Sequence, residues 1–195
     1  MRVIGLTGGI ASGKSTVSAW LREWGAHIVD TDAISHQTTK KGGRGYAAVV
    51  AHFGTGILKP DGELDRRKLG GIVFGDECKR RELEGILHPI VIEESKNEMA
   101  RAAALGAAVC VLDVPLLFES GMDALCDETW LVFVPEEVQL RRVMARDGLT
   151  AQQAQARIDS QMPLAEKLQR ADRAIDNAGS MEQTRAALRA LWEGL

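Results

Sequence analysis

Nothing in this chain approaches the roughly 18 uninterrupted apolar residues of a membrane-spanning helix. Cysteine is scarce. Cys78, Cys110 and Cys126 stand far apart and form no C-x-x-C, which excludes a cysteine-built zinc site and a dense disulfide framework. Three reduced thiols in a cytoplasmic protein are therefore expected. An excess of one charge is also missing. The 24 Lys and Arg against 27 Asp and Glu give a formal net charge of −3, so no general polyanion-binding surface is advertised and nucleic acid is not an expected partner. There is no internal repeat, no low-complexity linker and no signal peptide; the chain enters a strand pattern at Val3. What is present is the composition of a globular protein, 45% hydrophobic and 26% charged, in 195 residues. That length supports one substantial core plus an appended subdomain or lid.

Residues 8 to 15 read Gly-Gly-Ile-Ala-Ser-Gly-Lys-Ser, a full match to G-x-x-x-x-G-K-[ST], directly after the apolar run Val3-Ile4-Gly5-Leu6. A helix signal follows, with Val17, Trp20, Leu21 and Trp24 at i, i+3, i+4, i+7. This is the context the motif requires: a strand, a tight glycine turn, and a helix whose first N–H groups face a phosphate. Gly8 and Gly13 let the backbone curl closely around phosphate oxygens. Lys14 reaches the β- and γ-phosphates, and the Ser15 hydroxyl is placed to hold Mg²⁺. A bound nucleoside triphosphate, ATP, is expected.

Four apolar segments read as strands: Val3–Thr7, His27–Asp30, Ala108–Val114 and Trp130–Pro135, with a weaker fifth at Ala174–Asp176. They describe an α/β fold of the P-loop NTPase type, a five-stranded parallel sheet with flanking helices and a ligand crevice at the strands' C-terminal ends. About 75 residues separate the second strand from the third, far more than one crossover helix needs. The interval reads as helical over Ala33–Lys40, Tyr46–Phe53, Arg66–Phe74 and Asp76–Leu105, the last interrupted at His88-Pro89. It is expected to be an inserted helical substrate subdomain, residues 33–105. Glu136–Ala145 and Thr150–Gln161, joined at Asp147-Gly148, read as two helices of a lid region, 136–171. The nucleotide-binding core is then 1–32, 106–135 and 172–195. Its final helix, Ser180–Trp192, places Met181, Leu188, Leu191 and Trp192 on one face.

Anionic ligands must be caught by local clusters: Arg66-Arg67-Lys68, Lys79-Arg80-Arg81, and Arg141-Arg142 with Arg146. Asp30-Thr31-Asp32 closes the second strand. Asp and Thr are favoured before a helix, so capping of the next helix is the alternative reading for one of these residues. Asp32 is expected to accept a hydrogen bond from a substrate hydroxyl and aim its oxygen at the γ-phosphorus, and Asp30 to support it or contact magnesium through water. Asp113 ends the third strand, a position suited to a second magnesium-side carboxylate. Arg142 and Arg146, four apart on one helix face, are candidates for stabilising the transferring phosphoryl group. His88 reads either as a break imposed by Pro89 or as a substrate contact.

Taken in order, Leu6-Thr7-Gly8-Gly9-Ile10-Ala11-Ser12-Gly13-Lys14-Ser15-Thr16, Asp30-Thr31-Asp32, His88-Pro89, Asp113-Val114-Pro115-Leu116-Leu117-Phe118-Glu119, Ala171-Asp172 and Ile175-Asp176-Asn177 with Gly179 resemble the dephospho-CoA kinase family. The phosphate loop is shared with many kinases, whereas the Pro-Leu-Leu-Phe-Glu segment and the Ile-Asp-Asn tail are much more specific. The resemblance implies ATP-dependent phosphorylation of the ribose 3′-hydroxyl of dephospho-CoA, the last step of coenzyme A synthesis, by a nucleotide core, a helical CoA subdomain and a lid. It implies that Gly9 and Ala11 to Thr16 (Ala11, Ser12, Gly13, Lys14, Ser15, Thr16) cradle ATP, with Asn177 beside the base. It implies that Asp32 is the acid/base or orienting carboxylate, that Arg142 and Arg146 belong to the lid, and that Arg66 and His88 fall in the CoA-binding part. A monomer is expected, with self-association left open.

Two other readings have discriminating features. A shikimate- or gluconate-type kinase shares the loop and strand-end carboxylates but not the long helical insert, and this chain lacks a Gly-Gly-Gly turn after the third strand. A GTP-driven switch needs D-x-x-G after the third strand and N-K-x-D after a later one, and neither is present.

Overall fold

The computed structural model describes residues 1–73 and 75–195. The chain divides into two compact units, Met1–Val29 with Ala102–Leu195, and Asp30–Arg101. The first holds a parallel sheet of β1 (Arg2–Gly8), β2 (His27–Asp30), β3 (Val109–Asp113), β4 (Glu128–Phe133) and β5 (Arg173–Asp176), in the order β2-β3-β1-β4-β5. Around it lie α1 (Lys14–Glu23), α6 (Glu136–Asp147), α7 (Ala151–Asp159), α8 (Leu164–Arg170) and α9 (Met181–Glu193). All five expected strands are present, within two residues at each end.

The sheet order locates the ligand crevice. From β1 the chain leaves toward β2 on one side, and from β3 it crosses to β4 on the other. The divergence falls between β1 and β3, which pair in parallel from Arg2↔Val109 to Leu6↔Asp113. Open α/β sheets bind ligands at the carboxyl ends of such a pair. Here those ends carry the glycine loop and Asp113.

The three central strands β1, β3 and β4 are buried on both faces, which is why they read as apolar runs. Ile4, Leu6, Val111, Trp130, Val132 and Ile175 pack with Val17, Trp20 and Leu21 of α1 and Leu188 of α9 in one core. Burying each of the larger aliphatics contributes about 1.5–3 kcal/mol. β1 needs Gly5, because a Cβ there would lie 2.7 Å from Cys126 Sγ and 2.8 Å from Leu117 Cδ2. The three cysteines are free, with Cys110 buried in β3 as expected. Burial, then the nearby Asp123 and Asp127, push the Cys126 thiol up to about 12, so it is protonated and inert at neutral pH.

The second unit is helical: α2 (Thr31–Thr38), α3 (Arg44–Phe53), α4 (Arg66–Val73) and α5 (Glu77–Ala104). Val49, Ile57, Leu64, Leu69 and Val73 form its own core, with Tyr46, Phe53 and Leu87 packed against them. Phe74, the expected last residue of the third helix, lies outside the described residues.

Three expectations need correction. The break at His88-Pro89 does not occur; α5 runs unbroken for 28 residues with Pro89 inside. The proline forfeits one bond to the carbonyl of Gly85, four residues back, and both residues are exposed, so the loss falls away from the packed core. Residues 136–171, expected as a lid of two helices, contain three, because α8 was not expected. Its fully buried side chain is Lys167, so its inward face carries no apolar signal. Met181, expected on the inner face of α9, is exposed at the helix's first position.

Among the described residues, no helix is long and apolar enough to cross a membrane.

Candidate active site

β1 ends at Gly8, and the loop that follows turns through two left-handed residues, Ala11 (φ 58°) and Gly13 (φ 89°), before α1 begins at Lys14. Ser12 N–H closes the turn on Gly9 O at 3.0 Å. The first N–H groups of α1 have no acceptor within the helix, and they concentrate its positive dipole end at the loop. Successive backbone N–H groups in such a turn form an anion-binding nest.

Lys14 Nζ makes an ion pair with Asp113 Oδ1, joining the end of β1's loop to the end of β3. The pair is little exposed, 17% for the lysine side chain and 8% for the aspartate. The ammonium is thus held at the β1–β3 crevice, and the nearest fixed charge to it is this carboxylate. Ser15 is exposed in the first turn of α1. Thr16 follows, its N–H on Gly13 O at 3.0 Å.

Asn177, just beyond β5, clamps the loop from the other side. Its Nδ2 donates to Ser12 O at 2.7 Å, and its Oδ1 accepts from Thr184 Oγ1 at 3.1 Å. A Cβ on Gly13 would collide with the Asn177 amide, and the positive φ there disfavours any side chain. Gly13→Ala is therefore expected to cost about 1–3 kcal/mol of stability and to weaken ATP binding, measured by thermal unfolding and nucleotide titration. Unchanged values in both would contradict the clamp.

Arg142 of α6 donates to Asn177 O at 3.0 Å, which brings it to the loop. Arg146, one turn on, does not follow it there. Its guanidinium grips Asp147 through Nε at 2.8 Å and Nη2 at 3.0 Å, and Arg157 joins the same carboxylate at 2.7 Å. These cations, Arg146 first, hold the Asp147 carboxyl below its usual range.

The Pro-Leu-Leu-Phe-Glu segment acquires a physical meaning. Thr7 Oγ1 donates to Pro115 O at 3.1 Å, tying the end of β1 to it. Leu117 and Phe118 are buried, and the Arg170 guanidinium lies 4.7 Å from the Phe118 ring centre. Glu119 then takes two partners from the stretch after α7: Lys167 Nζ at 2.8 Å and Met162 N–H at 3.0 Å. Sequence reasoning missed Lys167, Gln139 and Gln161. The last two reach the backbone of Ile10 at 2.9 Å each. No periodicity marks them, and only three-dimensional placement reveals them.

Asp172 of the Ala171-Asp172 pair joins β4 to β5. Thr129 donates to its Oδ2 through N–H at 2.7 Å and Oγ1 at 2.8 Å. The hydroxyl's hydrogen bond, then the backbone one, lowers its carboxyl below the ordinary 3.8. A folded-state value below the unfolded one means that its stabilisation is present above about pH 4 and lost as pH falls through the lowered value. Asp172→Ala should lower the Tm at neutral pH and shrink the further drop on acidification below about pH 4. An unchanged acid limb would contradict this.

In the helical unit, Asp30 Oδ1 accepts from Ala33 N–H at 3.0 Å and caps α2, so it is the capping member of Asp30-Thr31-Asp32. Asp32 is exposed in the first turn of the same helix. Arg66 donates to Thr39 Oγ1 at 2.7 Å and His36 O at 3.1 Å. It lines a cavity of about 390 Å³ with Lys40, Lys59 and Arg67, basic on balance although Glu63 and Asp65 line it too. His88 is half-buried on α5 and does not line that cavity.

Comparison with known proteins places the whole chain. A model of the dephospho-CoA kinase family matches residues 2–183. The chain is 52% identical over 192 residues to the dephospho-CoA kinase of Symbiobacterium thermophilum, covering 98% of this chain and 80% of that one. It is 48% identical to that of Geobacillus kaustophilus, covering 98% and 97%. The solved dephospho-CoA kinase of Campylobacter jejuni superposes with a TM-score of 0.74 at 30% identity, covering 99% of this chain and 96% of that one. A kinase loop at the switch point of a five-stranded parallel sheet, the Pro-Leu-Leu-Phe-Glu brace behind it, and this likeness along nearly the whole length lead to one conclusion: the chain belongs to the dephospho-CoA kinase family.

Proposed function

We propose that the chain transfers the terminal phosphoryl group of ATP to the ribose 3′-hydroxyl of dephospho-CoA, giving coenzyme A and ADP. The observation that carries this reading is the Lys14–Asp113 pair at the β1–β3 crevice, beside a loop whose left-handed turns present backbone N–H groups to an anion. The 3′ oxygen bonds to the γ-phosphorus as the β–γ bridging bond breaks, and ADP leaves with that electron pair. Asp32 orients the hydroxyl and takes up its proton, which passes on to solvent. Lys14 and Arg142 balance charge on the phosphoryl oxygens, and Arg146 joins them only on leaving Asp147.

The residues present suit magnesium. The site offers hard oxygen donors, the Ser15 hydroxyl and the Asp113 carboxylate, beside the left-handed turn of the loop. Mg²⁺ is commonly held by one or two such groups plus substrate phosphates. Bound there, it supplies neutralisation of charge on the β- and γ-phosphate oxygens.

In the same reading, residues 33–105 receive dephospho-CoA, with Arg66 in the basic cavity and His88 on α5 as contacts. Residues 136–171 act as the lid, and Asn177 borders the base through its hold on Ser12. A cytoplasmic monomer completes the picture.

The test is ADP release measured with dephospho-CoA, shikimate and gluconate as separate acceptors. Turnover with dephospho-CoA alone is expected. Turnover with either small acid and none with dephospho-CoA would overturn the reading.

A further inference from the structure

We propose that Gln139 and Gln161 are positioning residues of the phosphate loop: two side-chain amides that grip Ile10 from opposite sides and thereby set the affinity for ATP. The inference rests on the reading of this loop as the ATP phosphate cradle. Ile10 N–H donates to Gln161 Oε1 at 2.9 Å, and Ile10 O accepts from Gln139 Nε2 at 2.9 Å. A backbone N–H needs an acceptor and a carbonyl needs a donor, so the chemistry of Ile10 dictates which end of each amide faces it.

The grip falls immediately before the strained part of the loop. Ala11 is the sole non-glycine residue with positive φ among the described residues, at 58°. A residue with a Cβ persists there only where its surroundings over-determine the backbone. Ser12 N–H on Gly9 O and Asn177 on Ser12 O hold the C-terminal side of Ala11, and the two glutamines hold the N-terminal side. Gly9 makes room for one of them, since a Cβ at that position would come 2.6 Å from Gln139 Nε2.

Both glutamines are themselves anchored. Gln139 is buried on α6, with its N–H on Pro135 O at 2.9 Å. Gln161 lies in the connection between α7 and α8, its N–H on Ile158 O at 3.1 Å. The next residue, Met162, is bound to Glu119, which also holds the buried Lys167. The Pro-Leu-Leu-Phe-Glu segment therefore fixes Gln161, and Gln161 fixes the loop. Neither glutamine is called on to touch the reacting atoms.

The test uses Gln139→Met and Gln161→Met, which keep side-chain volume and remove the hydrogen bond. Each should raise the KM for ATP roughly 5- to 20-fold, the scale of one lost hydrogen bond to a backbone group. kcat should stay within about threefold and the KM for dephospho-CoA within about twofold. The double variant should raise the ATP KM by less than the product of the single factors, because both amides hold the same residue. Wild-type ATP KM in both single variants would overturn the proposal. So would a fall in kcat alone that tracks the folded fraction, and so would a multiplicative double variant. If either variant folds poorly, ATP-induced thermal shift on its folded fraction reads the same affinity. Lys14→Ala, assayed alongside, separates the two levels. Its inactivity with unaffected glutamine variants rejects only this proposal, whereas its full activity rejects the cradle itself.

Discussion

Lys14→Ala is expected to lower kcat/KM by at least about 10²-fold, the loss typical of removing one preorganised charge-stabilising donor. Two effects add. The ammonium that meets the growing charge of the transferring group disappears, and the carboxylate it neutralised remains. Asp113 is 6% exposed, so without Lys14 an acid group faces the incoming triphosphate at the β1–β3 crevice. Breaking such a pair from one side also destabilises the fold, here by about 3 kcal/mol or less, because the lysine keeps some contact with water. The two contributions separate in a double variant. Lys14→Ala with Asp113→Ala removes both members of the pair, and turnover should stay as low as in the single Lys14 change, because the lost ammonium is what the transferring group needs. Steady-state kinetics and thermal unfolding on the three variants measure this. Turnover of Lys14→Ala within tenfold of the parent would count against the loop assignment.

Asp32→Asn should reduce kcat by about 10²-fold or more while ATP affinity changes by less than about threefold. The substitution leaves the N-cap of α2 in place. Asp30, not Asp32, supplies the cap of α2, and Asp32 is exposed in the first turn. Losing its charge there forfeits a favourable interaction with the helix dipole, about 0.3–1 kcal/mol. A large kinetic effect with a small stability effect is therefore the signature of a group acting on the acceptor. If ATP affinity collapsed while kcat held, Asp32 would belong to the metal or to nucleotide binding.

The strands and the glycine loop were legible because their signals are local. Continuous apolar runs mark strands covered on both faces, and G-x-x-x-x-G-K-S directly after such a run seldom arises except as a phosphate loop. The capping role of one residue in Asp30-Thr31-Asp32 followed from the same kind of short-range rule. What escaped notice depends on partners distant in sequence. α8 hides because its inward residue is Lys167, acceptable in a core only with Glu119 beside it. Pro89 misled because the loss of one hydrogen bond is small against the packing of a long helix, and Gly85 and Pro89 are both exposed. Arg142 and Arg146 share a helix face, as their spacing requires, but Asp147 draws one away from the loop that the other reaches. Gln139 and Gln161 carry no pattern at all. Their significance lies in meeting at Ile10 from positions 129 and 151 residues away in the chain.

The central claim concerns which oxygen receives the phosphoryl group, and phosphorus NMR of the product reads it directly. With ATP and dephospho-CoA as the only substrates, a new phosphomonoester resonance coupled to the ribose 3′ proton is predicted, in one-to-one proportion with ADP. ADP formed with inorganic phosphate alone, or a phosphate carried at any other position, would contradict the account.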